Sequence, residues 1–344
     1  MRITSAFIGF GKSATRYHLP YVLARQNKYK VKRIFDIQRK GDVEAQKQYE
    51  NILFTSDVDD ILNDPEITLV TVCTHPDSHY AYAKLCLESG KNVLVEKPFT
   101  TTLQEAKNLY ALAREKGLTV SPFQNRRFDS CFLTMKQAIL SGKLGDIIEV
   151  ESHFDYFRPE AESRPGSHFE GAFYGLGVHT LDQMISLFGR PQQVGYHLRR
   201  LRNSANPDDA FEAQLYFDDV KAIVKTSHLV KLDYPKFIVH GTHGSFIRHG
   251  IDQQETSLKA GVLPGEPGFA LDTQQALLEY TDSSGETVRE SVPAVQGDYG
   301  RVYDALYDTL IKGTPNYVSE QEALTNLEIL ETAFKQPSPA LVTL

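Results

Sequence analysis

The chain has 344 residues, 41% hydrophobic and 24% charged, with a formal net charge of −7. Such a composition belongs to a folded protein of about two domains. The acidic balance excludes a global field for nucleic acid or an anionic membrane, and no apolar run approaches the ~18 residues of a membrane span. Three separated cysteines, Cys73, Cys86 and Cys131, give neither a CxxC pair nor an even disulfide framework. The N-terminus reads as a strand rather than a signal peptide, so a cytoplasmic location is expected.

In chain order, Ile3–Ile8 is a short apolar run without periodicity, the mark of a strand covered on both faces. A helix is expected from Ser13 to Asn27, a strand over Val31–Asp36, and a short strand at Phe54 followed by a helix over Asp57–Asn63. Thr68–Cys73 is a β-branched buried strand, and His79–Ser89 a helix stopped at Gly90. Asn92–Val95 is a strand, Leu103–Lys116 a helix with apolar residues at helical spacing, and Leu118–Ser121 a strand. Strand and helix alternating with short links predict an N-terminal doubly wound parallel sheet, a Rossmann domain of residues 1–122.

From residue 123 to 344 a second α/β domain with a large, mostly antiparallel open sheet is expected. After a helix over Ser130–Ser141, the segment around Phe211, Ala213, Leu215 and Phe217 alternates with Glu212, Gln214 and Tyr216. Val220–His228, Phe237–His240, Ser245–Arg248 and Leu277–Thr281 continue that pattern, Leu258–Leu271 reads as a Gly- and Pro-rich surface loop, and helices over Gly300–Lys312 and Ser319–Phe334 close the chain.

The chemistry concentrates at four places. In FIGFGKSATRYHLP, Gly9, Gly11 and Ala14 fit G-x-G-x-x-G/A directly after a strand and before a helix. The first glycine permits a tight turn, the second lets a pyrophosphate approach the backbone, and the third small residue allows close packing. Phe10, Lys12 and Ser13 lie in the same turn. Asp36, 27 residues after Gly9, is placed to accept hydrogen bonds from the adenosine ribose of NAD; Arg39 and Lys40 would instead pair with the 2′-phosphate of NADP, and both cofactors stay open. CTHPDSH ends a buried strand where open α/β sheets bind ligands, making Thr74, His75 and His79 candidate cofactor contacts. His75 and His79 have a metal-like spacing but no third ligand, so no metal is expected. VLVEKPF puts Glu96 and Lys97 just past another strand, where an ammonium can polarise a reacting oxygen; Lys97–Pro98 is a candidate cis bond. In YGLGVHTLDQMISLFG, a helix at about 100° per residue gathers Val178, Leu181, Ile185 and Phe188 into one stripe and sets His179 and Asp182 on its flank.

Taken together, GFGKSATRYHLP, THPDSH, AKLCLESGKNVLVEKP, QNRRFDSCF with GKLGDI, and GLGVHTLDQMISLFGRP resemble the Gfo/Idh/MocA oxidoreductases almost end to end. The resemblance implies hydride transfer between nicotinamide and a sugar, polyol or related carbon. It implies that Lys97 acts beside the nicotinamide and substrate, that His179 is the proton acceptor with Asp182 one turn on, and that Asn125 lies near the cofactor. It also implies a homodimer or homotetramer built through the C-terminal sheet. One departure stands out: where many members read D-x-G-x-H, Gly175 occupies the first position. Arg126, Tyr156 and Arg158, where the second domain starts and its first long strand ends, are candidate contacts to a small-molecule substrate. Two alternatives stay open: a nucleotide-sensing regulator without turnover, and a reductase of a non-sugar carbonyl or imine.

Overall fold

The computed structural model describes residues 1–37 and 49–344, which fall into two compact units. The first comprises Met1–Asn125, Val262–Pro267 and Tyr299–Leu324. Its strands are β1 (Ile3–Ile8), β2 (Tyr29–Phe35), β3 (Leu53–Thr55), β4 (Leu69–Val72), β5 (Asn92–Val95) and β6 (Val120–Pro122). They pair in parallel in the order β3-β2-β1-β4-β5-β6, the doubly wound arrangement. β4 is buried at every position, because helices cover both faces of such a sheet.

The helices of the described residues are α1 (Leu19–Leu23), α2 (Asp59–Leu62), α3 (Pro76–Glu88), α4 (Leu103–Lys116), α5 (Ser130–Leu140), α6 (Val178–Phe188), α7 (Gln254–Lys259), α8 (Arg301–Lys312) and α9 (Glu320–Ala333). α4 has the most legible boundaries. Thr102 and Glu105 form a reciprocal capping box, and Gly117 ends the helix at φ 65°. The single helix expected over Ser13–Asn27 is instead a wide π turn, Ala14–His18, followed by the short α1. Pro20 explains the difference: it has no N–H to donate to the carbonyl four residues back, and its ring crowds that carbonyl. Far along the chain, α8 joins this unit. Asp304 pairs with Arg25 at 2.9 Å and Lys28 at 2.5 Å, and the Tyr29 hydroxyl donates to the Tyr303 carbonyl at 2.7 Å.

The second unit comprises Arg126–Gly261, Gly268–Asp298 and Thr325–Leu344. Its strands are β7 (Ile147–His153), β8 (Gln193–Arg199), β9 (Ala210–Tyr216), β10 (Lys221–Ser227), β11 (Phe237–Gly241), β12 (Gly244–Arg248), β13 (Ala276–Thr281), β14 (Thr287–Val292) and β15 (Ala340–Thr343). They form one sheet in the order β14-β13-β12-β11-β7-β10-β9-β8-β15, antiparallel except for the β7–β10 pair. Phe211, Ala213 and Leu215 are buried along β9 while Glu212, Gln214 and Tyr216 are half-exposed, as the alternation requires. The inward residues pack with Phe132 and Met135 of α5 and with Val178, Leu181 and Ile185 of α6. The edge strands β14 and β15 have no fully buried position, which is why no apolar pattern announced them. Within the expected loop Leu258–Leu271, only Leu258 and Lys259 of α7 are helical.

Candidate functional site

Strand order reverses between β1 and β4, so the crevice of the first unit opens at their carboxyl ends. Gly9 ends β1 there with φ +104°, and its N–H donates to the Phe35 carbonyl at 2.9 Å. A Cβ on Gly9 would lie 2.7 Å from the Cys73 carbonyl oxygen, so both its dihedral and its neighbour demand glycine. Gly11 is the opposite case: a Cβ there would meet nothing within 4 Å. The space that a side chain would fill is left over exposed backbone, the cradle a phosphate group fits. Ala14 is fully buried, as its small-residue position requires. Asp36 stands at the end of β2 and accepts the Phe10 N–H at 3.1 Å, which brings its carboxylate to the turn. The Phe10 ring itself packs edge-on to Phe54, centroids 5.0 Å apart, and belongs to the core. Lys12 is exposed and Ser13 half-buried at the start of the wide turn. Arg39 and Lys40 lie outside the described residues.

Glu96, just past β5, fastens this crevice. It is 6% exposed. Its carboxylate accepts the Ser13 hydroxyl, the Lys97 N–H at 2.8 Å and His18 Nε2 at 3.2 Å. Burial alone would raise its pKa; the His18 hydrogen bond and charge, the Lys97 charge and the Ser13 hydroxyl prevail and hold it at about 2. Because an ionised carboxylate only accepts, His18 Nε2 carries a hydrogen, and Nδ1 faces the Tyr303 hydroxyl at 2.8 Å. Lys97 is thus half-buried on a loop whose backbone is pinned to the glycine turn, and its bond to Pro98 is cis. His79 lies buried between the Pro98 carbonyl (2.8 Å) and the Thr74 carbonyl (3.1 Å), and burial lowers its pKa. It ties the loop after β4 to the loop after β5 through backbone contacts. His75 is exposed, 3.0 Å from Asp77. No group of three or more His, Cys, Asp or Glu placed to hold a metal occurs among the described residues. Asn125 is 6% exposed at the end of the Met1–Asn125 segment of the first unit.

In the second unit, His179 and Asp182 project from the first turns of α6, 5% and 1% exposed. Both Asp182 oxygens accept from Arg127, Nε at 2.7 Å and Nη2 at 2.8 Å, a bidentate fork. Gln183 Nε2 donates to the Arg126 carbonyl at 2.7 Å, so α6 is fastened twice to the segment that opens this unit. Sequence reading missed Arg127: it is 55 residues from Asp182, and only its place beside Arg126 in QNRRF hinted at it. The Arg126 guanidinium lies 3.5 Å from both Asp129 and Glu255 and over the Phe154 ring. Tyr156 and Arg158 stack on each other at 4.0 Å and line a cleft of ≈ 450 Å³ that also takes in Gly175.

A glycine turn at the switch point of a doubly wound sheet, joined in one chain to a unit built on a wide mixed sheet, is the construction of a dinucleotide-dependent oxidoreductase. Residues 3–124 match the family model of the NAD-binding Rossmann fold of the Gfo/Idh/MocA oxidoreductases, and residues 136–339 match that of their C-terminal α/β domain. The chain belongs to this family. It is similar to the uncharacterized oxidoreductase YhhX of Escherichia coli K12, 67% identical over 344 residues that cover 100% of this chain and 99% of YhhX. It is also similar to the scyllo-inositol 2-dehydrogenase (NADP(+)) IolW of Bacillus subtilis 168, 31% identical over 97% of this chain and 93% of IolW. A crystal structure of a probable oxidoreductase yhhX matches with a TM-score of 0.97 and 67% identity over 99% of each chain. The cofactor is a nicotinamide dinucleotide, NAD or NADP. No helix among the described residues is long and apolar enough to cross a membrane.

Proposed function

We propose that this oxidoreductase transfers a hydride between a nicotinamide dinucleotide and an alcohol or carbonyl carbon of a sugar, polyol or related small molecule. One observation carries the reading: the open backbone at Gly11 lies in the same crevice as Asp36, and Glu96 anchors the Lys97 amide to that turn. The similarity to IolW, a scyllo-inositol 2-dehydrogenase, supports the substrate class.

When bound, the nicotinamide supplies the hydride acceptor or donor. Asp36 accepts the ribose hydroxyls, and the turn at Gly11, Lys12 and Ser13 offers N–H groups to the pyrophosphate. Thr74, His75 and His79 shape the crevice after β4, and Asn125 offers its amide to the cofactor. In the oxidative direction the His179 imidazole takes the hydroxyl proton, and the Lys97 ammonium stabilises the oxygen as negative charge develops. Asp182, held by the Arg127 fork, fixes the turn of α6 from which His179 projects. Proton handling of this kind contributes roughly 10²–10⁴-fold. The reading includes a cytoplasmic location and a homodimer or homotetramer formed through the polar outer face of the nine-stranded sheet, where Glu212 pairs with Lys225 at 3.0 Å.

The test is a panel of sugars, polyols, imines and non-sugar carbonyls, each offered with NAD and NADP and followed by nicotinamide absorbance. Turnover of a sugar or polyol is expected. Tight nucleotide binding without turnover of any compound would identify a sensor, and turnover confined to imines or non-sugar carbonyls would overturn the substrate class.

A further inference from the structure

We propose that the cleft of the second unit binds an anionic group of the substrate, a carboxylate or a phosphate, through Arg158 and His228. The inference deepens the reading above and rests on it for calling the ligand a substrate.

Arg202 sets the orientation of the His228 imidazole. Its Nε donates to Asp209 at 2.9 Å, and its Nη2 lies 2.8 Å from His228 Nδ1. A guanidinium only donates, so Nδ1 must accept, and the imidazole proton is therefore on Nε2. Burial, with the Arg202 and Arg158 charges, lowers the His228 pKa and keeps this neutral tautomer. His228 thus lines the cleft as a hydrogen-bond donor. Its carbonyl accepts the Arg158 N–H at 2.8 Å. The Tyr156 ring lies under the Arg158 guanidinium at 4.0 Å and edge-on to His228 at 5.7 Å, so the three side chains hold one another.

The charges on the walls decide the sign of the ligand. Glu170 accepts the Ser167 N–H at 3.1 Å. Asp209 accepts the N–H groups of Leu201 at 2.7 Å and Arg202 at 3.1 Å besides the Arg202 side chain. Asp208 accepts the Phe173 N–H at 2.7 Å and is 7% exposed, and burial raises its pKa to about 6. Glu170 and Asp209 are engaged by their own surroundings; Asp208 keeps Oδ1 buried without a hydrogen-bond partner, and the burial that raises its pKa favours the uncharged carboxyl. Arg164 pairs with Glu162 at 2.9 Å. Arg158 has no ion-pair partner among the described residues and is exposed. At Gly175 in the lining of this cleft a Cβ would meet nothing within 4 Å, so the cleft has open space there. The cleft therefore offers a fixed guanidinium, a fixed N–H donor and unfilled space, the chemistry that recognises an oxyanion.

Calorimetric titration of the full chain, with and without NAD and NADP, tests this with glucuronate, glucose 6-phosphate and uncharged glucose as probes. At least one anion is expected to bind tenfold or more tighter than glucose. Arg158→Gln should abolish that advantage, and Arg158→Lys should restore part of it; whichever anion binds tighter identifies the group. Glucose binding as tightly as both anions, or an Arg158→Gln protein that keeps the preference, overturns the inference. Turnover is read separately. A protein that oxidises neutral polyols and ignores both anions loses this inference but keeps the proposed function. One that selects anions yet turns over nothing keeps the anion site and loses the oxidoreductase reading.

Discussion

Replacing Glu96 with glutamine tests how the cofactor crevice is held. The carboxylate titrates at about 2 in the folded protein against 4.5 for the ordinary group, a gap of roughly 2.5 pH units. At about 1.36 kcal/mol per unit, the charged form contributes on the order of 3 kcal/mol to folding at neutral pH. Because the folded pKa is depressed, this contribution is complete above pH 4.5 and is lost as pH falls toward 2. Glu96→Gln keeps the shape but has one acceptor oxygen where the carboxylate has two, and no charge for His18. Urea unfolding at pH 7 should show the variant less stable by about 3 kcal/mol, and the difference should shrink as the titration is repeated from pH 4.5 downward. Weaker dinucleotide binding should accompany it, since Ser13 and the Lys97 amide lose their shared anchor. Equal stability at pH 7, or a deficit unchanged between pH 7 and pH 3, would show that the Glu96 charge does not hold the crevice.

The two glycines of the turn should separate in effect. Gly9→Ala should destabilise the fold by at least ~2 kcal/mol through its positive φ and its contact with the Cys73 carbonyl, read by thermal unfolding. Gly11→Val should leave unfolding unchanged and weaken nucleotide binding at least tenfold, read by calorimetry. Arg127→Met leaves the Asp182 charge buried without its fork, so a loss of about 3–5 kcal/mol is expected in urea. Asp252, raised to about 7 by burial and by Asp129, binds a proton more tightly folded than unfolded. Its contribution makes stability fall as pH rises from 3.8 to about 7, and Asp252→Asn should flatten that slope in unfolding titrations.

The sequence carried the first unit well. Buried parallel strands such as β1 and β4 are short, mostly apolar or β-branched runs without alternation, and α4 announces both ends through Thr102, Glu105 and Gly117. It carried the second less well, because β14 and β15 lie on sheet edges where neither face is buried. The Ser13–Asn27 segment misled because its apolar spacing is helical while Pro20 forbids a continuous ladder. At the site, residue types at strand ends were legible, but the groups that fasten them were not. Glu96 meets His18 across 78 residues, Asp182 meets Arg127 across 55, and His18 meets Tyr303 across 285. No local period records such pairs; only folding creates them.

In the mechanism we propose, Lys97 and His179 divide the proton and charge handling of a hydride transfer. The most direct measurement is kcat and nucleotide Kd for wild type, Lys97→Met and His179→Ala on a sugar or polyol turned over by the wild type. Each variant should keep its nucleotide Kd within a few fold and lose at least 10²-fold in kcat. A His179→Ala or Lys97→Met protein with wild-type kcat would contradict it.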